Sequence, residues 1–166
     1  QWLSDGSCDL GFVALPTKQR GRVTALLEDR LLAVVPRDHR LASLPRFPIK
    51  EVEHEPFISL LETSDHDARR ALEAAGVTPN IRYTTKDDYA IIAMVEQGLG
   101  VSIMPELLLS GRSDNVRVME LTPPASRTIG LCLPDADRAG PATLRFAECV
   151  SDWVREHYSR LQNTLS

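Results

Sequence analysis

Few residues of this chain belong to types and spacings that could do chemistry. Its four histidines and three cysteines lie apart from one another, and it contains no G-x-S-x-G, Walker, G-x-G-x-x-G or H-E-x-x-H motif. His39 follows an apolar segment, and we interpret it as a turn histidine that hydrogen-bonds the backbone, the alternative being a catalytic base. His66 stands between Asp65 and Asp67, but consecutive residues of a helix point in different directions, which argues against a metal site. The sequence therefore predicts no catalytic residue, no bound metal and no cofactor.

The cysteines indicate a reducing compartment. Cys8, Cys132 and Cys149 are too few and too widely spaced for a disulfide framework or a zinc site, and we expect them to pack as small apolar side chains. No signal-peptide pattern appears at the first residues, and the apolar runs are far shorter than the ~20 residues of a membrane span. A cytoplasmic location without membrane contact is the resulting expectation.

Charge argues against nucleic-acid binding by these residues. Nineteen lysines and arginines face 23 aspartates and glutamates, which gives a formal net charge of −4 over 166 residues. No Lys/Arg stripe runs along the sequence, whereas a protein that grips duplex DNA must replace phosphate counterions with its own cations. With 43% hydrophobic residues, the composition is that of one ordinary domain, or two small lobes, with a buried core.

Apolar segments that end at proline or glycine alternate with helical patterns. The unbroken apolar run Leu31–Val35 is typical of a strand covered on both faces in a parallel sheet. The predicted strands are residues 9–15, 31–35, 56–60, 81–84, 100–104, 116–119 and 128–133. The predicted helices are 64–76, 85–98 and one that opens near Pro141, with an apolar face of Phe146, Val150, Trp153, Val154, His157 and Leu161. This order predicts an α/β architecture with parallel pairing.

Two helix starts are the most informative polar features. Ser64 and Thr85 each follow a predicted strand and are expected to cap the next helix. In open parallel α/β sheets, ligands bind outside the carboxyl ends of the strands, and the free N–H groups of a helix start favour an anion such as a small carboxylate. The alternative is that both residues only cap their own helices. The helix after Thr85 is expected to present an apolar face of Tyr89, Ile91, Ile92, Met94 and Val95.

Four segments, in this order and spacing, resemble the effector-binding domain of LysR-type transcriptional regulators. Leu3–Gly6 followed by Cys8–Val13 is similar to the family's L-x-x-G-x-x-D-L-A-I step. Leu32–Ala42 is similar to its L-V-x-P-x-x-H-P-L-A turn, with an arginine in place of the usual second proline. Pro56–Ile58 follows at the expected place, and Val95–Pro105 is similar to the V-x-x-G-x-G-V-x-x-L-P segment. The likeness covers essentially the whole chain.

The resemblance implies a two-lobed, periplasmic-binding-protein-like (type 2) α/β fold. Residues 1–35 and 129–166 would form the first lobe, and residues 36–128 the second. The family's winged helix-turn-helix and the first strand-helix-strand of its regulatory domain have no counterpart in the sequence, so we expect the first lobe to be incomplete. The strand with Phe12 and Val13 should then lack a neighbour that another segment or chain supplies. The resemblance also implies DNA binding through the winged helix-turn-helix and assembly as a homodimer or homotetramer.

The resemblance and the strand ends together predict an effector site between the lobes. On the second lobe, its edge is expected at Ser59, Leu60, Thr84, Thr85 and Lys86, with Gly100, Val101 and Ser102 nearby. On the first lobe, it is expected at Val13, Ala14 and Pro16. Lys86 would supply a cation for a carboxylate, although an exposed lysine is more often only solvated.

Three functions fit such a fold. The first is the effector-sensing domain of a transcriptional regulator, in which a small, anionic molecule bound between the lobes controls DNA binding and transcription. The second is a solute-binding protein of a transport system, against which stand the missing export signal, the free cysteines and the family-like turn at 36–41. The third is an enzyme, against which stands the lack of an acid, base or nucleophile constellation. The sequence favours the first function and predicts that the protein is not an enzyme.

Overall fold

The computed structural model describes residues 3, 5–61, 66–109 and 115–164. Two short 3₁₀ helices, Ile49–Glu53 and Glu106–Leu108, join longer elements. The strands are β1 (Gly11–Leu15), β2 (Arg22–Pro36), β3 (Phe47–Pro48), β4 (Phe57–Leu60), β5 (Ile81–Thr85), β6 (Ser102–Pro105) and β7 (Val116–Leu133). The α-helices are α1 (His66–Ala74), α2 (Asp88–Glu96) and α3 (Pro141–Thr164).

The chain divides into two compact units. Unit 1 consists of Gln1–Glu28 and Arg127–Ser166, and unit 2 is Asp29–Ser126. The chain therefore passes from one unit to the other within the two long strands β2 and β7. These divisions fall after residues 28 and 126, whereas the sequence places the lobe boundaries after residues 35 and 128.

In unit 1, β1 lies at an edge of the described sheet, whose strand order is β1-β7-β2-β6. It pairs antiparallel with β7, from Gly11 opposite Cys132 to Leu15 opposite Thr128. Phe12, the second residue of β1, is 59% exposed. Among the described residues, β1 therefore has a strand neighbour on one side only, in agreement with the expectation that this strand lacks a second one.

Helix α3 packs on unit 1 through only part of its predicted apolar face. Val154 is buried and Val150 is half-buried, but Phe146 and Trp153 remain 53% and 51% exposed. A stripe at helical spacing shows which side chains share a face, but it does not show how much of that face finds a partner. Of the predicted apolar face, the two valines are thus buried or half-buried, whereas the two aromatic residues remain exposed.

The core of unit 2 explains the unbroken apolar run of β2. Leu31, Ala33 and Val35 enter one buried cluster, together with side chains from β3, β4 and α1. Leu32 and Val34 enter a second cluster, which also contains residues of β4 and α2. The run is buried on both faces as predicted, but β2 pairs antiparallel with β6. Parallel pairing occurs instead between β4 and β5 and between β3 and β7.

The last long strand corrects another prediction. Residues 116–119 and 128–133, predicted as two strands, belong to the single 18-residue strand β7. Between them stand Pro123 and Pro124, which usually indicate the end of a strand because proline lacks an N–H donor. Both prolines are exposed, and the backbone stays extended through them because the fixed φ of proline is compatible with an extended chain.

Helix α2 begins later than the sequence suggests. Its N-cap is Asp87, whose side chain accepts a hydrogen bond from the Tyr89 N–H at 2.8 Å. Thr85 is not the cap, because it is still part of β5, where its carbonyl accepts from the Leu61 N–H. Ile91, Ile92 and Val95 form the buried face of the helix. Tyr89 is 65% exposed and does not belong to that face. The other predicted cap, Ser64, lies outside the described residues.

Candidate functional site

The carboxyl ends of β4 and β5 bring four of the predicted site residues together. Ser59 pairs with Thr84, and Leu60 pairs with Thr85, in a parallel ladder. The Leu61 N–H extends this ladder by donating to the Thr85 carbonyl at 2.9 Å. Since these two strands are parallel, their polar ends form a single edge of unit 2, as the sequence predicts.

The side chains at this edge do not all point the same way. Successive side chains of a strand alternate between the two faces, so Ser59 and Thr84 share one face and Leu60 and Thr85 share the other. Ser59 is 8% exposed, and its Oγ donates to the Leu60 carbonyl at 2.9 Å. A ligand at this edge would meet the strand termini and the residues that follow them, not one continuous row of hydroxyl groups.

Three predicted site residues hold β6 against β4: Gly100 and Val101, which precede the strand, and Ser102, its first residue. The Ile58 N–H donates to the Val101 carbonyl at 2.9 Å, and Ser102 Oγ donates to the Ile58 carbonyl at 2.8 Å. Gly100 lies against Pro56, at the amino end of β4, where an added Cβ would sit 2.3 Å from the Pro56 carbonyl oxygen. Ser102 is therefore next to the edge, while Gly100 is at the opposite end of β4.

The charges that follow β5 are of mixed sign. Lys86 is exposed and supplies a positive charge at the edge. Asp87 directs its carboxylate at the Tyr89 N–H, and Asp88 adds a second acid in the first turn of α2. Because a side-chain carboxylate already occupies the start of this helix, the helix offers an incoming anion less than a bare N-terminus would.

The predicted residues of unit 1 lie at and beyond the carboxyl end of β1. Val13 is half-buried opposite Gly130, and Ala14 is exposed opposite Ile129. Pro16 is exposed directly after the strand. None of the three carries a polar side chain, so within this unit they offer a ligand only backbone groups and apolar contact.

Two cavities lie elsewhere, one within each unit, and neither is lined by a predicted site residue. The larger has a volume of about 390 Å³ and is lined by Phe12, Leu26, Leu27, Ile129, Cys149, Val150, Trp153, Val154 and Tyr158. The other has a volume of about 280 Å³ and is lined by Ile49, Asp67, Arg70, Ala71, Ala74, Ala75 and residues 123–126. The sequence gives little sign of either cavity, because each forms between elements that are distant along the chain.

His39 makes the backbone contact that the sequence predicts. Its Nδ1 accepts a hydrogen bond from the Leu41 N–H at 3.3 Å. The buried Nε2 makes no well-aligned hydrogen bond in the described part of the chain, although Glu55 Oε2 lies 3.3 Å away. Arg40 next to it bonds Glu51 and Glu55, and these bonds, the one to Glu51 first, raise the pKa of the Arg40 guanidinium above its ordinary value. The bonds of Arg40 to Glu51 and Glu55 thus tie the turn after β2 to the first 3₁₀ helix.

The three cysteines differ in burial. Cys132 is buried, and burial raises the pKa of its thiol, whereas Cys8 and Cys149 are exposed and do not pack as predicted. Among the described residues, no group of three or more His, Cys, Asp or Glu side chains is placed to hold a metal ion. None of the described helices is long and apolar enough to cross a membrane.

Solved structures define the class of this fold. The chain is similar to the Synechocystis CcmR regulatory domain solved in complex with 2-PG, with a TM-score of 0.84 and 17% identity, over 94% of this chain and 78% of that one. It is also similar to the effector-binding domain of QuiR in complex with shikimate, with a TM-score of 0.80 and 21% identity, over 94% and 76% of the two chains. The protein therefore has the two-lobed, periplasmic-binding-protein-like α/β fold of these domains.

The family follows from sequence. Residues 1–155 match the LysR substrate binding domain family, and the chain belongs to that family. It is 28% identical over 154 residues to the uncharacterized HTH-type transcriptional regulator YvbU of Bacillus subtilis, covering 92% of this chain and 52% of YvbU. YwbI of the same bacterium is 32% identical over 126 residues, covering 74% of this chain and 42% of YwbI. The chain spans about half the length of these curated relatives.

Proposed function

We propose that this chain is the effector-sensing domain of a LysR-type transcriptional regulator and that it is not an enzyme. The observation that carries the proposal is the family match over residues 1–155. The polar edge at the ends of β4 and β5 supports it, because ligands of open parallel α/β sheets bind at such edges. In this function the effector shifts a conformational equilibrium by binding one state more tightly than another.

The proposed effector is a small molecule that carries a carboxylate. QuiR, a structural neighbour, was solved with shikimate, and CcmR was solved with 2-PG. In this chain the carboxylate would pair with Lys86, because Asp87 already caps the start of α2. Ser59, Leu60, Thr84, Thr85 and Ser102 would complete the site on unit 2, with Gly100 and Val101 supporting it.

The proposed partners follow from the relatives rather than from contacts in this chain. YvbU and YwbI are described as HTH-type transcriptional regulators, so we expect the full-length protein to bind DNA through such a module. A homodimer or homotetramer in the cytoplasm is the proposed working form. Because its charges are mixed in sign and its net charge is −4, we assign no nucleic-acid contact to this domain itself.

A thermal-shift screen of small carboxylates, shikimate among them, on the full-length protein tests this function. A ligand present at about 100 times its Kd stabilises the native state by about 2.7 kcal/mol, so a true effector should raise Tm by several degrees. The substitution Lys86→Gln should reduce this rise in Tm. The control substitution Arg46→Gln removes the same charge from an arginine that pairs with Glu120, and it should leave the rise unchanged. A screen without any stabilising carboxylate would contradict the proposed ligand class, and an equal rise in the Lys86→Gln variant would remove Lys86 from the site.

A further inference from the structure

Strand β6 connects the candidate site to the strand by which the chain enters unit 2. On one side, the residues at its start bond β4, since the Ile58 N–H donates to Val101 and Ser102 Oγ donates to the Ile58 carbonyl. On the other side, β6 pairs antiparallel with β2, from Val34 opposite Ser102 to Leu31 opposite Pro105. β6 therefore provides a continuous hydrogen-bonded path from Ile58, next to Ser59, to β2.

The second 3₁₀ helix extends this contact to the first residues of unit 2. Asp29 is only 3% exposed, and its Oδ1 accepts a hydrogen bond from the Leu107 N–H at 3.1 Å. Arg30 holds Glu106 with two bonds, Nε to Oε2 at 2.8 Å and Nη2 to Oε1 at 2.6 Å. A guanidinium that makes two parallel bonds to one carboxylate fixes its orientation as well as its distance.

The burial of β2 changes at the same point. Arg22–Glu28 are exposed or half-buried, whereas Asp29 and Leu31–Val35 are buried. The part of β2 that the 3₁₀ helix and β6 hold thus starts at Asp29, which is also the first residue of unit 2. The segment before it lacks that packing.

We propose that β6 and the second 3₁₀ helix couple the candidate site to the crossover strand β2, with Asp29 and Arg30 as positioning residues. The proposal rests on the proposed function, because it describes how an effector at the ends of β4 and β5 would act on the connection between the units. Close-packed interiors transmit strain, so a shift at Ile58 displaces Ser102, and β6 carries it to the 3₁₀ helix and Asp29. Spatial continuity alone does not establish coupling, which a double-mutant cycle measures.

The test is amide hydrogen exchange of this chain without any effector. Ser102→Ala should speed exchange of the Leu107 amide several-fold, although Ser102 and Leu107 share no hydrogen bond, because the change acts through β6. Combined with Arg30→Gln, it should show a non-additive effect of at least about threefold on that amide. Arg145→Gln is the matched control, since Arg145 bonds Glu148 within α3 through Nη1 at 3.2 Å and should combine additively with Ser102→Ala.

Ser102→Cys, which keeps the size of the side chain but weakens its donor, replaces the alanine variant if that variant does not fold. An unchanged Leu107 amide, or additive effects of the Ser102 and Arg30 substitutions, would overturn the coupling. Because no effector is used, that outcome would leave the proposed function standing. A failed carboxylate screen would likewise leave the coupling to be decided by exchange alone.

Discussion

At the scale of single residues, one glycine decides whether β6 can approach β4. Gly100 is buried, and a Cβ on it would sit 2.3 Å from the Pro56 carbonyl oxygen and 3.0 Å from its carbonyl carbon. The same carbonyl accepts the Val101 N–H bond at 2.8 Å, so the backbone cannot move away without loss of that bond. Gly100 is thus required by a close backbone approach, and the sequence pattern that contains it has a structural cause.

We therefore expect Gly100→Ala to destabilise the protein by about 1–3 kcal/mol, the usual cost of overpacking a close-packed site. Urea unfolding measures this as a lower midpoint. Gly140→Ala is the control, because a Cβ there has no neighbour within 4 Å, and it should change the midpoint little. Equal midpoints for the two variants would contradict this prediction, because they would mean that β6 can move away from Pro56 without a loss of stability.

At the scale of elements, the start of α2 shows how the cap and the candidate site interact. Asp87 has an extended backbone and accepts the Tyr89 N–H at 2.8 Å, which satisfies one of the free donors of the first turn. Thr85 Oγ1 in turn accepts the Asp87 N–H at 3.2 Å, which fixes the two-residue link between β5 and α2. Lys86 lies in that link, so its position depends on the cap.

Asp87→Ala should lower the free energy of unfolding by about 1 kcal/mol, the typical value of an N-cap side chain. Asp87→Asn should cost much less, since an asparagine oxygen accepts the same bond without the charge. Chemical denaturation of both variants measures the difference. If the alanine and asparagine variants were equally stable, the bond to the Tyr89 N–H would contribute nothing and another residue would have to cap α2.

At the scale of the whole molecule, charge separates sensing from DNA binding. The chain carries 19 basic and 23 acidic residues, and several arginines are neutralised in ion pairs on unit 2, such as Arg30 with Glu106 and Arg40 with Glu51. Non-specific DNA binding needs uncompensated cations that release counterions. With more acidic than basic residues, the chain is therefore not expected to bind duplex DNA.

The isolated chain should therefore not retain promoter DNA in a gel-shift experiment at about 0.1 M salt, where counterion release still favours basic proteins. A longer form that includes the proposed DNA-binding module serves as the positive control. Sequence-specific retention by the isolated chain would contradict both the charge argument and the assignment of DNA binding to another domain.

The sequence by itself determined most of the strands and helices, the family and the residues at the strand ends, although it divided β7 into two strands and missed β3. Leu31–Val35 had to be a strand covered on both faces, because five successive apolar residues cannot leave one face in water. Local patterns also placed Ser59 and Thr84 at one edge, since both lie at the ends of predicted strands, and the structure pairs them.

Only the tertiary structure decided which strands pair, in which direction, and which side chains share a face. The antiparallel pairing of β2 with β6, the unbroken passage of β7 through Pro123, and the exposure of Phe12 all depend on residues far apart along the chain. The bonds that define the proposed coupling join Ser102 to a residue 44 positions away and Leu107 to one 78 positions away. The spacing of apolar residues indicates which side chains are buried. The pairing partner and the register of a strand depend on contacts between residues that are far apart along the chain.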